Sequence, residues 1–144
     1  GGRTFEAAAF LRRAGADTAE VKRLFQNDLE GTIAKYSIIQ NAKMYREGIA
    51  VAVVDHTVGR ITAAQAADEL LNIIGIDTSF VLYPDGDRVI VSARSIGEVN
   101  VQVILENLGG GGNAAAAGGQ IPDKSLTQVA QELAQAIDQY LEDE

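Results

Sequence analysis

The chain has 144 residues, 47% of them hydrophobic, with a formal net charge of −8, no cysteine and one histidine, His56. That length carries one domain with a core, or a domain plus an appended helical segment, and the well-mixed charges argue against disorder. The composition excludes a disulfide frame, a thiolate metal site and a multi-histidine cage, and the acidic balance argues against duplex nucleic acid as a partner.

The first stretch is helical in pattern. Residues 4–13 predict a short helix stopped by Gly15. Asp17-Thr-Ala-Glu20 has the form of a capping box opening a second helix, with Val21, Leu24 and Phe25 inward. A third helix is expected from about Glu30 to Arg46, ended by Gly48. The texture then changes. IAVAVVD (49–55) is a β-branched run suited to a buried strand. Thr62-Ala-Ala-Gln65 predicts another capped helix, with Ala63, Ala66, Ala67, Leu70, Leu71 and Ile74 inward and Gly75 closing it. TSFVLY (78–83) and RVIVSARS (88–95) read as strands joined through the turn PDGD (84–87). A helix is expected over 100–108, a short strand at 118–121, and a last helix opened by the capping box Ser125-Leu-Thr-Gln128. The fold class is therefore α/β: a helical linker up to residue 47, then a compact mixed-sheet domain with flanking helices over 48–144. No apolar run is long enough to span a bilayer.

Eight of the twelve Lys and Arg residues precede residue 47 and none follows Lys124, so one or two bases near a small anionic ligand remain compatible with the acidic total. Two stretches carry candidate chemistry. LENLGGGGNAAAAGGQI (105–121) spends four consecutive glycines, Gly109, Gly110, Gly111 and Gly112, after an apolar helical run. One glycine there is a helix stop in the left-handed conformation. Four are more than a stop requires, and bare backbone amides leading into a helix start favour an anion. Asn113 is expected at the start of a short alanine-rich helix. In SARS (92–95), Ser92 and Arg94 are two apart on a strand and share a face, and an arginine there can present its fork to a phosphate. The alternative is a surface arginine finishing an edge strand. Asp55-His56 follows a buried strand, but a metal centre needs several ligands and no second histidine exists, so a polar loop is the better account.

RVIVSARSIGEVNVQVILENLGGGG followed by AAAAGGQI resembles the DHH-associated C-terminal domain of the DHH/RecJ-type phosphoesterases, and RTFEAAAFLRRAGAD (3–17) resembles the end of their catalytic DHH domain. The nearest likeness is to membrane-bound cyclic di-AMP phosphodiesterases. The resemblance implies a metal-dependent phosphodiesterase that cleaves cyclic di-AMP to linear pApA. Two manganese ions would sit in the DHH domain of a longer parent, outside this chain, and the parent would be anchored in the membrane with this part cytoplasmic. Ser92, Arg94 and Ser95 match the S-x-R-S segment, and Gly109 to Gly112 match the glycine loop, as substrate-binding positions. Position 113 falls where that loop has a histidine. Asn113 can donate a hydrogen bond there but cannot become a cation. The implied partners are a small nucleotide and the parent's DHH domain, with a homodimer compatible. The resemblance leaves two rivals open: an oligoribonuclease branch of the same superfamily, and a degenerate nucleotide-binding module without catalysis.

Overall fold

The computed structural model describes residues 18–20 and 28–144. Two compact units divide the chain, Gly1–Thr32 and Ile33–Glu144. In the first, residues 18–20 are helical, and the Asp28 carboxylate accepts from the Glu30 amide at 2.9 Å as the next helix begins. The helix expected at 4–13 and the inward set Val21, Leu24 and Phe25 lie outside the described residues.

Helix α1 (Leu29–Gln40) ends six residues earlier than its pattern predicts. Asn41 stops it: its amide donates to Ile38 O, and its side chain donates to Ser37 O at 2.9 Å. The next residues form strand β1 (Ala42–Met44), antiparallel to β2 (Ile49–Val53). The turn between them needs positive φ at Arg46 (66°) and Gly48 (81°). Arg46 is held in that uncommon conformation by an ion pair with Asp138 at 2.9 Å, and the same carboxylate accepts from the Tyr45 hydroxyl at 2.8 Å.

A helix, α2 (Arg60–Leu70), carries the chain from β2 to the parallel strand β3 (Thr78–Asp85), as a parallel crossover requires. Strand β4 (Arg88–Ser95) returns antiparallel through the two-residue loop Gly86-Asp87, where Gly86 supplies φ 63°. Pro84 thus sits inside β3 opposite Val89, not in the turn. After α3 (Val101–Glu106) come β5 (Gly111–Gly112), β6 (Ala116–Pro122) and α4 (Leu126–Asp143). The sheet order is β1-β2-β3-β4-β6-β5, with every neighbouring pair but β2–β3 antiparallel.

Alternation along the strands sorts side chains into two layers. On one face Ile49, Phe80, Leu82, Val89, Val91 and Ala93 pack against Val101, Ile104 and Leu105 of α3 and Val129, Leu133 and Ile137 of α4. On the other, Ala52, Val81, Tyr83 and Ile90 pack against Ile38 of α1 and Ala63, Ala66, Ala67 and Leu70 of α2. Each fully buried Leu or Ile contributes roughly 1.5–3 kcal/mol of transfer free energy. The N-cap half of the last capping box is realised: the Ser125 hydroxyl accepts from the Gln128 amide at 3.1 Å. Ser125→Ala is expected to destabilise the chain by about 1 kcal/mol, read from a denaturant melt.

The expected N-cap of α2, Thr62, is three residues off. Gly59 is the N-cap, with no side-chain cap bond, and Thr62 lies inside the first turn. The carbonyl of Gly59, in an extended conformation, accepts from the Ala63 amide at 2.9 Å and starts the helix without Thr62. Ile74, expected inward, is fully exposed, because α2 ends at Leu70 and the chain turns outward to Gly75 (φ 91°).

Candidate ligand groove

Helix α2 packs over β3 and β4 but leaves the same face of β6 and β5 open. The reason lies in one rung of the sheet. Ser92 of β4 stands opposite Gly118 of β6, which stands opposite Gly111 of β5. Two of these three residues lack a side chain, so the rung forms a floor of backbone. Arg94 stands opposite Ala116 and Ile90 opposite Gln120. Small residues of α2, Ala63 and Ala64, form the facing wall. The result is a groove of about 540 Å³, lined also by Arg60, Tyr83 and Gly112.

Arg94 is half-buried, with 22% of its side chain exposed. Its Nε lies 3.1 Å from an Asp68 oxygen on α2, and Nη1 donates to the carbonyl of Ala93 at 2.8 Å. The guanidinium is therefore positioned by its own protein, as a binding fork must be to lose little entropy on contact. Tyr83 is 2% exposed. Burial raises its pKa above the ordinary phenol value and the charge of Asp85 adds to this, while the Arg60 guanidinium beside it pulls the other way.

The glycine run divides into separate tasks. Gly109 (φ 87°) ends α3 in the left-handed conformation; its amide donates to Glu106 O and that of Gly110 donates to Leu105 O, the paired bonds of a Schellman end. Gly110 and Gly112 let β5 lie tight on β6. A Cβ on Gly110 would strike the carbonyl oxygen of Gly118, and one on Gly112 (φ 147°) would strike that of Ala116 and lie 2.5 Å from Ala117 Cα. A Cβ on Gly111 would meet nothing within 4 Å.

No helix follows the glycines. Residues 113–115 instead form a tight turn between β5 and β6. The Asn113 amide donates to Ala116 O at 2.8 Å, and its side-chain oxygen accepts from the amides of Ala115 and Ala116, each at 2.9 Å. Asparagine favours this local arrangement over a helix start because its short carbonyl can satisfy two turn amides itself. The expectation of an anion at a helix N-terminus is thereby overturned. Pairs alternate along an antiparallel ladder, and Asn113–Ala116 is bonded, so the Gly112 N–H faces away from β6, off the open edge of the sheet. Asn113→Ala is expected to cost about 1 kcal/mol of stability through loss of the turn bonds, measured by thermal melting.

Of the residues expected to bind ligand, Ser92, Arg94, Gly111 and Gly112 line the groove together. Ser95 does not: it is buried on the opposite face of β4, where its hydroxyl lies 3.5 Å from that of Thr78 and accepts from the Gly97 amide. Gly109, Gly110 and Asn113 shape the loop without lining the groove. Sequence reasoning missed Arg60, Tyr83 and Asp68. Tyr83 was within reach, since alternation puts it on the face of Ser79 and Val81. Arg60 was hidden by placing the start of α2 at Thr62.

Among the described residues, no group of three or more His, Cys, Asp or Glu side chains could hold a metal ion. Asp55 and His56 pair with each other at 3.0 Å in an exposed loop. The described residues thus do not supply the ligands of the manganese pair that the resemblance implies. No described helix is long and apolar enough to cross a membrane.

Residues 46–143 match the DHHA1 domain model, and the chain belongs to that family. It is 40% identical to the cyclic-di-AMP phosphodiesterase PdeA of Listeria monocytogenes serotype 1/2a (strain 10403S) over 97% of this chain, and 41% identical to the cyclic-di-AMP phosphodiesterase GdpP of Geobacillus thermodenitrificans (strain NG80-2) over 99%. The chain spans 22% of the length of each of these relatives. An exopolyphosphatase-related protein from Bacteroides fragilis shares the fold, with a TM-score of 0.73 at 18% identity, over 96% of this chain and 43% of that one.

Proposed function

We propose that the chain is the substrate-binding part of a metal-dependent phosphodiesterase that hydrolyses cyclic di-AMP to linear pApA, and that the groove beside Arg94 holds the nucleotide. In this reading the manganese pair belongs to a DHH domain elsewhere in a membrane-anchored parent, and this chain faces the cytoplasm. The support is the relatives' activity joined to one observation: within an acidic chain, an open groove floored by glycine backbone is flanked by a preset arginine. The Ser92 hydroxyl is the neutral donor that accompanies Arg94. Their role is to bind and orient.

Calorimetric titration of the chain with cyclic di-AMP, linear pApA and a short oligoadenylate tests the reading. Saturable binding of cyclic di-AMP, tighter than that of the oligoadenylate, is expected. Preference for the oligoadenylate would move the proposal to the oligoribonuclease branch, and no binding of any of the three would remove it.

A further inference from the structure

The side chains lining the groove include two arginines, Arg60 and Arg94, and no carboxylate, in a chain whose net charge is −8. Their electrostatic situations differ. Arg94 is partly neutralised by Asp68. Arg60 has no carboxylate partner among the described residues. It lies at the first residue of α2, with its guanidinium beside the buried Tyr83. A solvated arginine on a convex surface would need no explanation. This one lines a concave, glycine-floored groove.

Two independent paths place the arginines at opposite ends. Along α2, Arg60 and Asp68 are eight residues apart, roughly 12 Å at the helical rise, and Asp68 touches Arg94. Along the sheet, Tyr83 stands opposite Ile90, and Ile90 and Arg94 are four residues apart, about 13 Å at the strand rise. The two estimates agree. The groove therefore has a cation at each end, with the Ser92 hydroxyl, small apolar side chains and bare backbone between, a pattern that fits an elongated ligand carrying two separated anionic groups.

We propose that Arg60 is a second anion-binding residue of the groove, holding one phosphate of a dinucleotide while Arg94 holds the other, so that two phosphates bind better than one. This rests on the reading of the groove as a nucleotide site. It makes the Arg60–Arg94 spacing a determinant of specificity for dinucleotides over mononucleotides.

The test compares Arg60→Gln, Arg60→Lys and Arg94→Ala with the wild-type chain, using cyclic di-AMP and AMP as probes at two salt concentrations. Thermal melts confirm folding, and Arg60, being exposed, is removable without repacking the core. Arg60→Gln is expected to weaken cyclic di-AMP binding roughly tenfold or more and to reduce its salt dependence. Arg60→Lys should recover part of the loss, because it keeps the charge but not the fork. With AMP, which has one phosphate, only one of the two arginine sites should matter. Unchanged cyclic di-AMP affinity in Arg60→Gln, beside a loss in Arg94→Ala, overturns the role of Arg60 while leaving the groove a nucleotide site. Equal losses for both probes in both arginine variants also overturn it, since one shared phosphate would explain them. Wild-type chain that binds neither probe removes the nucleotide reading and this inference together.

Discussion

Gly112→Ala is expected to destabilise the chain by about 3 kcal/mol, the sum of an unfavourable backbone conformation and overpacking against backbone that cannot move aside. The native φ at Gly112 is 147°, which a side-chain-bearing residue rarely adopts. The added methyl would also meet the carbonyl oxygen of Ala116 and lie 2.5 Å from Ala117 Cα. Relief requires β5 to peel from β6, and that strand pair bounds the groove. Gly111→Ala is the internal control. It adds the same methyl one residue earlier into open space, so its stability should stay within about 0.5 kcal/mol of wild type. Urea unfolding of both variants checks the pair of expectations. A Gly112→Ala chain as stable as Gly111→Ala would show that β5 does not need its close approach to β6.

Arg94→Ala is expected to weaken cyclic di-AMP binding by roughly tenfold to a hundredfold, the worth of a charge-assisted arginine contact of about 1.5–3 kcal/mol. The fold should survive, because Arg94 is only half-buried and its ion pair with Asp68 is exposed on the carboxylate side, at 65%. Stability should therefore move by less than about 1 kcal/mol. Ser92→Ala, on the same face, should cost less, since a neutral hydroxyl contact is worth about 1 kcal/mol. Titration beside a thermal melt separates binding from folding. Normal affinity in Arg94→Ala would reduce Arg94 to a strand-end residue held by Asp68, and the groove would lose its main anion contact.

Apart from β5 and the short alanine helix expected after Asn113, the order of strands and helices from residue 49 onward was legible in the sequence, because each element there obeys its own local rule. The strands TSFVLY and RVIVSARS carry β-branched runs, and α4 carries its inner residues at helical spacing behind a Ser125 cap. The shared face of Ser92 and Arg94 followed from strand alternation alone. So did the left-handed helix stop at Gly109, which glycine takes without steric cost. Tertiary structure decided the rest. Ala42-Lys43-Met44 continues a helical pattern, yet becomes a strand because the open edge of β2 offers hydrogen bonds that a lone helix end does not. AAAA (114–117) has high helix propensity, yet divides between a turn and β6. Asn113 satisfies the turn amides, and β4 presents a ladder partner for each residue from Ala116 to Pro122. The groove is of this second kind. Arg60, Asp68, Ser92, Arg94, Gly111 and Gly118 are scattered over fifty-nine positions, counted from 60 to 118. Nothing local in any of them specifies the others. Pairing β4 with β6 and β6 with β5, and laying α2 across only part of that sheet, brings them to one place. Those long-range hydrogen bonds and apolar contacts have no signature within a sequence window.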